Sequence, residues 1–317
     1  MRLARILFTL GTLVAVPTIA FAEDADAYYK QGLAYKQQGK TEDAIAALEK
    51  AVAANPKHGM AWSSLGNLYK LKGDHAKAVT AYEMATAVIK KDKVLWANLG
   101  MAYYRVGEKL DKDAKAKQID KAIAALETAK GLAPNDAEIR GNLGTLKRQK
   151  GDIAGAIADL EVAVKNKPDD ASYWNNLGVA YRTAKRDDDA IKAYEKSVAI
   201  TPNDPNAHFN LAVSYRRKED YEKAIPEYEK AVGLEPGNAD AWFDLGYMYK
   251  ADHQNDKAIA ALQKYLDIKK GDTKNPDAES VKKANDDLAA MGGATPAKDP
   301  KKDPKKDPKK PAPPKKK

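Results

Sequence analysis

A fixed period runs through most of this chain and narrows what it can become. Seven alanines in similar surroundings, Ala44, Ala78, Ala122, Ala156, Ala190, Ala224 and Ala258, are spaced 34, 44, 34, 34, 34 and 34 residues apart. Gly32, Gly66, Gly100, Gly144, Gly178 and Gly246 keep the same phase, with Ala212 in the remaining place. Pro56, Pro134, Pro168, Pro202 and Pro236 mark the ends of units. The repeats run 25–58, 59–92, 93–136, 137–170, 171–204, 205–238 and 239–272. A unit of this length is one supersecondary element, too small to bury its own apolar surface, so neighbours must stack to share a core.

Each unit reads as two helices. Ala, Lys, Leu and Glu dominate and only four Phe occur; straight-chain residues lose little rotamer freedom in a helix. Counted from the start of each repeat, slots four, seven, eight and eleven share one face of a first helix. Slots twenty, twenty-four and twenty-seven form the facing stripe of a second. Gly39, Gly73, Gly107 and Gly151 permit the turn between them, and the late proline ends the unit.

Trp62-x-x-Leu65-Gly66-x-x-Tyr69, followed by Gly73, Ala78, Tyr82 and Ala85, resembles the tetratricopeptide repeat almost without departure. Trp96, Trp174 and Trp242 take the same first slot in their repeats. The resemblance covers residues 25–272 and implies an all-α fold: a right-handed α-α superhelix of seven helix pairs with a concave groove. It also implies a non-enzymatic scaffold for protein–protein interaction.

Three departures stand out. Repeat three carries ten extra, charged residues, 108–117, expected as a longer helix or a solvent loop, with a partner-contact lobe as the sharper alternative. Pro226 falls inside a second helix and is expected to kink it. His208 fills a slot that holds Trp elsewhere, which favours a packed core histidine over a ligand. Past repeat seven, residues 277–291 read as a capping helix that completes a domain spanning 23–291. Residues 292–317, built on Lys-Lys-Asp-Pro, read as a disordered tail.

The formal charge of +9 belongs to the ends. Setting aside Arg2 and Arg5, and the ten Lys and three Asp of residues 292–317, leaves 42 basic and 42 acidic residues. The body is therefore not a polyanion binder by net charge, and nucleic acid is a poor partner. At the other end, Arg2 and Arg5 precede an apolar run from Ile6 to Val16, and Ala20-Phe21-Ala22 supplies a small-x-small site. Residues 1–22 are expected to be a signal peptide cut after Ala22, placing the protein in the periplasm or outside the cell. An uncleaved anchor is the alternative; no other stretch is apolar enough to span a membrane.

The absence of cysteine removes disulfides, thiolate metal sites and thiol nucleophiles. His58, His75, His208 and His253 lie in different repeats without metal-ligand spacing. Gly39-Lys40-Thr41 mimics the end of a phosphate-binding loop, but Ala34 stands where its first glycine belongs and no strand precedes it. No catalytic residue, metal or cofactor is expected.

The face opposite the core stripe is more informative. Slot six reads Lys30, Ser64, Asn98, Asn142, Asn176, Asn210 and Asp244. Asn is a mediocre interior-helix residue, yet its amide matches the N–H and C=O of an extended peptide. The series resembles the asparagine ladder in the tetratricopeptide superhelix of O-linked N-acetylglucosamine transferase, without that enzyme's catalytic domain. Slot twelve adds Lys36, Lys70, Arg148, Arg182, Arg216 and Lys250, broken by Tyr104. Together they predict an extended polypeptide partner with a bias toward acidic groups. An inert polar face copied by repeat duplication is the competing reading. The tail offers a second one, a lysine-rich binder of anionic envelope polymers with the repeats as spacer.

Overall fold

The computed structural model describes residues 16–271 and 278–292, which form fifteen helices and no strand. A first compact unit, residues 1–200, holds five helix pairs. They are α1 (Val16–Gln37) with α2 (Thr41–Ala54), α3 (Gly59–Leu71) with α4 (His75–Val88), and α5 (Lys93–Gly107) with α6 (Lys112–Leu132). α7 (Ala137–Lys150) with α8 (Ile153–Asn166), and α9 (Ala171–Thr183) with α10 (Asp187–Ile200), complete it. A second unit, residues 201–317, holds α11 (Pro205–Arg217) with α12 (Tyr221–Leu234), α13 (Ala239–Ala251) with α14 (Asn255–Gly271), and α15 (Ala278–Ala290). Residues 1–15 of the expected signal peptide, the junction 272–277 and the tail 293–317 lie outside the described residues.

Within each unit, every first helix packs on its own second helix and every second helix packs on the next first helix. This is the consecutive packing of an α-α superhelical solenoid, and it follows from the two stripes. Leu65, Tyr69, Ala78, Tyr82 and Ala85 of repeat two share one core with Leu95, Leu99 and Tyr103 of repeat three. In the second unit α15 buries Ala284 and Leu288 against Leu262, Tyr265 and Leu266 of α14, covering the last stripe as a cap.

Slot eight is small because slot twenty-four lies on top of it. A Cβ added at Gly66 would sit 2.5 Å from the Tyr82 ring, and one at Gly144 would sit 2.5 Å from Leu160. The turn glycines are a mixed set. Gly39, Gly73 and Gly151 hold left-handed backbone, whereas Gly107 is the helical last residue of α5. Its smallness serves packing instead: an added Cβ would meet the Gln118 side chain at 3.0 Å. In the last three repeats the left-handed slot is filled by Lys185, Glu219 and His253, with φ near +60°, a conformation that costs a side-chain-bearing residue about 1–2 kcal/mol.

The insertion resolves into a short turn and extra helix. Asp111 caps α6 by accepting from the Asp113 and Ala114 amides, and α6 runs 21 residues against 14 in α8. The added length is roughly two turns at its N-terminal end. α12 remains a single helix through Pro226. Pro226 lies past the four amides that lack an intrahelical partner, so it removes one i→i−4 bond of α12.

Glu219 is exposed, so Glu219→Gly removes backbone strain without losing packing. The gain, less the extra chain entropy of glycine, is about 0.5–1 kcal/mol. Thermal unfolding followed by circular dichroism should show a raised midpoint, and a lowered one would contradict the strain.

Candidate functional site

Polar side chains knit the repeats at fixed offsets. The slot-four donor bonds a carbonyl six residues earlier: Trp62, Trp174 and Trp242 each reach a proline carbonyl at 2.9–3.0 Å, and Trp96 reaches that of Lys90 at 2.9 Å. Arg140 and His208 do the same job at 2.6 and 2.9 Å. His208 is buried and also bonded to Glu227, a core histidine as its slot implied. Slot eleven reaches across to the preceding repeat. Tyr69 donates to Glu49, Tyr181 to Glu161 and Tyr249 to Glu229 at 2.5–2.6 Å, and Tyr103 donates to Glu83.

Lys147 stands where those tyrosines stand and pairs with Glu127 at 2.7 Å and with buried Asp159 at 2.6 Å. Burial alone would push its ammonium down, but the bonds to Asp159 and Glu127 outweigh that and hold it above its usual range.

Slots six and twelve, read from the sequence as two separate stripes, partly join each other. Lys70 donates to Asn98 at 3.0 Å, and Arg216 donates to Asp244 at 2.9 Å; both pairs are 28 residues apart and link one repeat to the next. Tyr228 adds a 3.0 Å bond to the same Asp244, whose carboxyl is pushed up by burial against the pull of Arg216 and Tyr228. Lys250 is engaged by the cap, donating to Asp287 at 2.6 Å beside Tyr247, also at 2.6 Å. Lys36 is exposed in the last turn of α1, and half-buried Asn210 lies on α11 of the second unit.

The middle of the first unit is different. Asn142 on α7 and Asn176 on α9 are half-buried, on first helices that touch directly, and their side chains make no hydrogen bond among the described residues. The Arg148 Nε and the hydroxyl of fully buried Tyr194 are enclosed without a hydrogen-bond partner. Burial pushes the Tyr194 hydroxyl up to about 12, against the pull of Arg182 and Arg148, which places both guanidinium groups near it. The Arg182 guanidinium carbon is 5.8 Å from the centre of the Tyr194 ring. The Arg148 Nε and Tyr194 hydroxyl are covered by the protein, so the groups open to a ligand on this face are the Asn142 and Asn176 amides.

Tyr194 escaped the sequence reading because slot twenty-four is a core position. The signal was available: slot twenty-four holds Tyr82, Tyr194 and Tyr228 where the other repeats hold leucine, and a buried tyrosine brings a hydroxyl that needs a partner. Among the described residues no group of acidic or histidine side chains is arranged to hold a metal.

The tetratricopeptide repeat family matches this chain over residues 29–93, 113–171, 141–205 and 209–273, and the chain belongs to it. Proteins built on this repeat are in general scaffolds for protein interaction. Similar solved folds include a protein in the structure of the APC/C hetero-tetramer Cut9-Hcn1, at 26% identity and TM-score 0.52, covering 71% of this chain and 43% of that one. The pilF protein of Pseudomonas aeruginosa aligns at 20% identity and TM-score 0.53, over 74% of this chain and 99% of its own. YrrB, described as a TPR protein with an unusual peptide-binding site, aligns at 20% identity and TM-score 0.54, over 66% and 100%. The last two likenesses carry the fold alone. No match to a curated protein is found.

The cap supplies a pH test. Burial would raise the Asp287 carboxyl, but hydrogen bonds from Lys250 and Tyr247 outweigh it and hold it below the ordinary range. A depressed carboxylate contributes stability above its unfolded pKa, near 4, and loses it as pH falls through the folded value. Wild type should therefore exceed Asp287→Asn by about 1 kcal/mol at pH 6, and the gap should close as the pH falls well below 4. A gap that is unchanged in acid would rule out the charged pair as the cap's latch.

Proposed function

We propose that this chain is an exported interaction scaffold that holds an extended polypeptide against the wall formed by α7 and α9. The half-buried side chains of Asn142 and Asn176, which make no hydrogen bond among the described residues on two first helices that touch, carry the reading. Asparagine amides suit the N–H and C=O of an extended peptide. Within the first unit Asn98 and Lys70, bonded to each other, serve outer positions of the wall by trading partners, and Lys36 and Arg182 extend it; Asn210, Arg216 and Lys250 belong to the second unit. At about 0.5–1.5 kcal/mol net per hydrogen bond, such a site binds weakly unless side-chain anchors add to it.

Export rests on Arg2, Arg5, the apolar run to Val16 and Ala20-Phe21-Ala22. The periplasm or the cell exterior is then where the partner is met, and a role in pilus, motility, secretion or envelope assembly fits such a scaffold. No helix among the described residues is long and apolar enough to cross a membrane. The lysine-rich residues 292–317 support one other reading, attachment to anionic envelope polymers with the repeats as spacer.

Crosslinked capture from the envelope fraction separates these. Asn142→Ala/Asn176→Ala should reduce capture of the partner several-fold, removal of 292–317 should leave it, and the mature protein should begin at Glu23. Capture that survives the double substitution but is lost with the tail would replace the wall by the tail, and recovery with residues 1–22 intact would contradict cleavage after Ala22 and favour the anchor.

A further inference from the structure

The insertion in repeat three builds one wall of a cleft. Lys112, Lys115, Ala116 and Ile119 lie at i, i+3, i+4 and i+7, so they share one face of the extended α6. That face, Tyr104 on α5 and Gln149 on α7 enclose a cleft of about 430 Å³, a size that suits a small side-chain ligand. The floor is apolar: Ile119 is buried, and the Tyr104 ring and the Ala116 methyl line it. Its polar pair is weakly joined, with Gln149 Nε2 donating to the Tyr104 hydroxyl at 3.4 Å.

The cleft carries more cations than anions. Lys112 and Lys115 form no ion pair within contact distance among the described residues. Asp111 caps the helix. Glu108 is held at 2.9 Å by Arg105, and Arg105, Tyr104 and Lys115 together keep its carboxyl below the usual range. Asp113 lies off the shared face. Tyr104 is also the one slot-twelve residue that is not basic. The insertion thus returns cations to the repeat that lacks one, and sets them at the rim of an aromatic floor.

We propose that this cleft is an anchor site for a polypeptide segment carrying one aromatic side chain flanked by carboxylates. The ring lies on Tyr104, Ala116 and Ile119, and the carboxylates meet Lys112 and Lys115. Charge complementarity selects this occupant: Lys112, Lys115 and Arg105 outnumber Glu108 around an apolar floor and reject a basic or wholly polar segment. The site stands independently of the asparagine wall.

The probe is a fluorescein-labelled peptide, Gly-Ser-Asp-Glu-Trp with a free carboxylate, titrated against the full chain by anisotropy at low salt. Binding should fall about tenfold or more for Lys112→Glu/Lys115→Glu, and equally when the probe's Trp is replaced by Ala. Lys112→Arg/Lys115→Arg should retain it. Ala116→Trp, at an exposed position, should block the cleft while leaving both lysines and the fold in place. Asn142→Ala/Asn176→Ala should leave the probe's affinity unchanged, so loss of the wall and loss of the cleft read separately. Absence of binding by wild type up to millimolar peptide would overturn the proposal, as would wild-type affinity retained by Ala116→Trp or by the charge-reversed variant.

Discussion

A pair of short helices with an apolar stripe on each has no way to hide both stripes within itself. Isolated helices of 13 or 14 residues, the length of α3 and α4, are marginal in water, and a two-helix unit buries too little surface to offset the entropy of ordering it. Burial is completed only when Tyr82 and Ala85 meet Leu95 and Leu99 of the following repeat. Every other feature of the chain is arranged around that shared seam, from the small residue at slot eight to the cap at the end.

The polar side chains lock the seam into register. Apolar stripes tolerate sliding, whereas a tyrosine hydroxyl meeting a glutamate at a fixed offset of 20 residues does not. The substitution of Lys147 at that slot shows that position and partner matter more than residue type, since Glu127 is still its acceptor. The indole-to-carbonyl bonds do the same within a repeat, and Arg140 and His208 replace Trp without loss of the contact.

Much of this was legible because repetition multiplies weak signals. Seven registers in phase specified the helix pairs, the small slot eight and the capping helix, and His208 was readable as a core residue from its slot alone. What escaped depended on three-dimensional pairing. Gly107 shares its residue type with Gly73 but not its backbone, because the ten added residues let α6 begin earlier and lie close against it. Lys185, Glu219 and His253 hold left-handed backbone at a slot where glycine is cheaper, since a turn locked by flanking helices imposes its geometry on whatever residue is there. The asparagine and basic series looked like two stripes because each was read along its own helices. Across repeats, Lys70 and Asn98 are neighbours, whereas the Asn142 and Asn176 side chains make no hydrogen bond among the described residues.

The dependence of each repeat on its neighbours is open to a direct measurement. The 34 residues of repeat four, 137–170, can be made as a peptide and compared by circular dichroism with the full chain. If stacking carries the fold, the peptide is largely unstructured in water at 25 °C while the chain keeps its helical signal. A peptide with the same helicity per residue as the whole protein would show that the repeats fold on their own and that the seam is not what holds them.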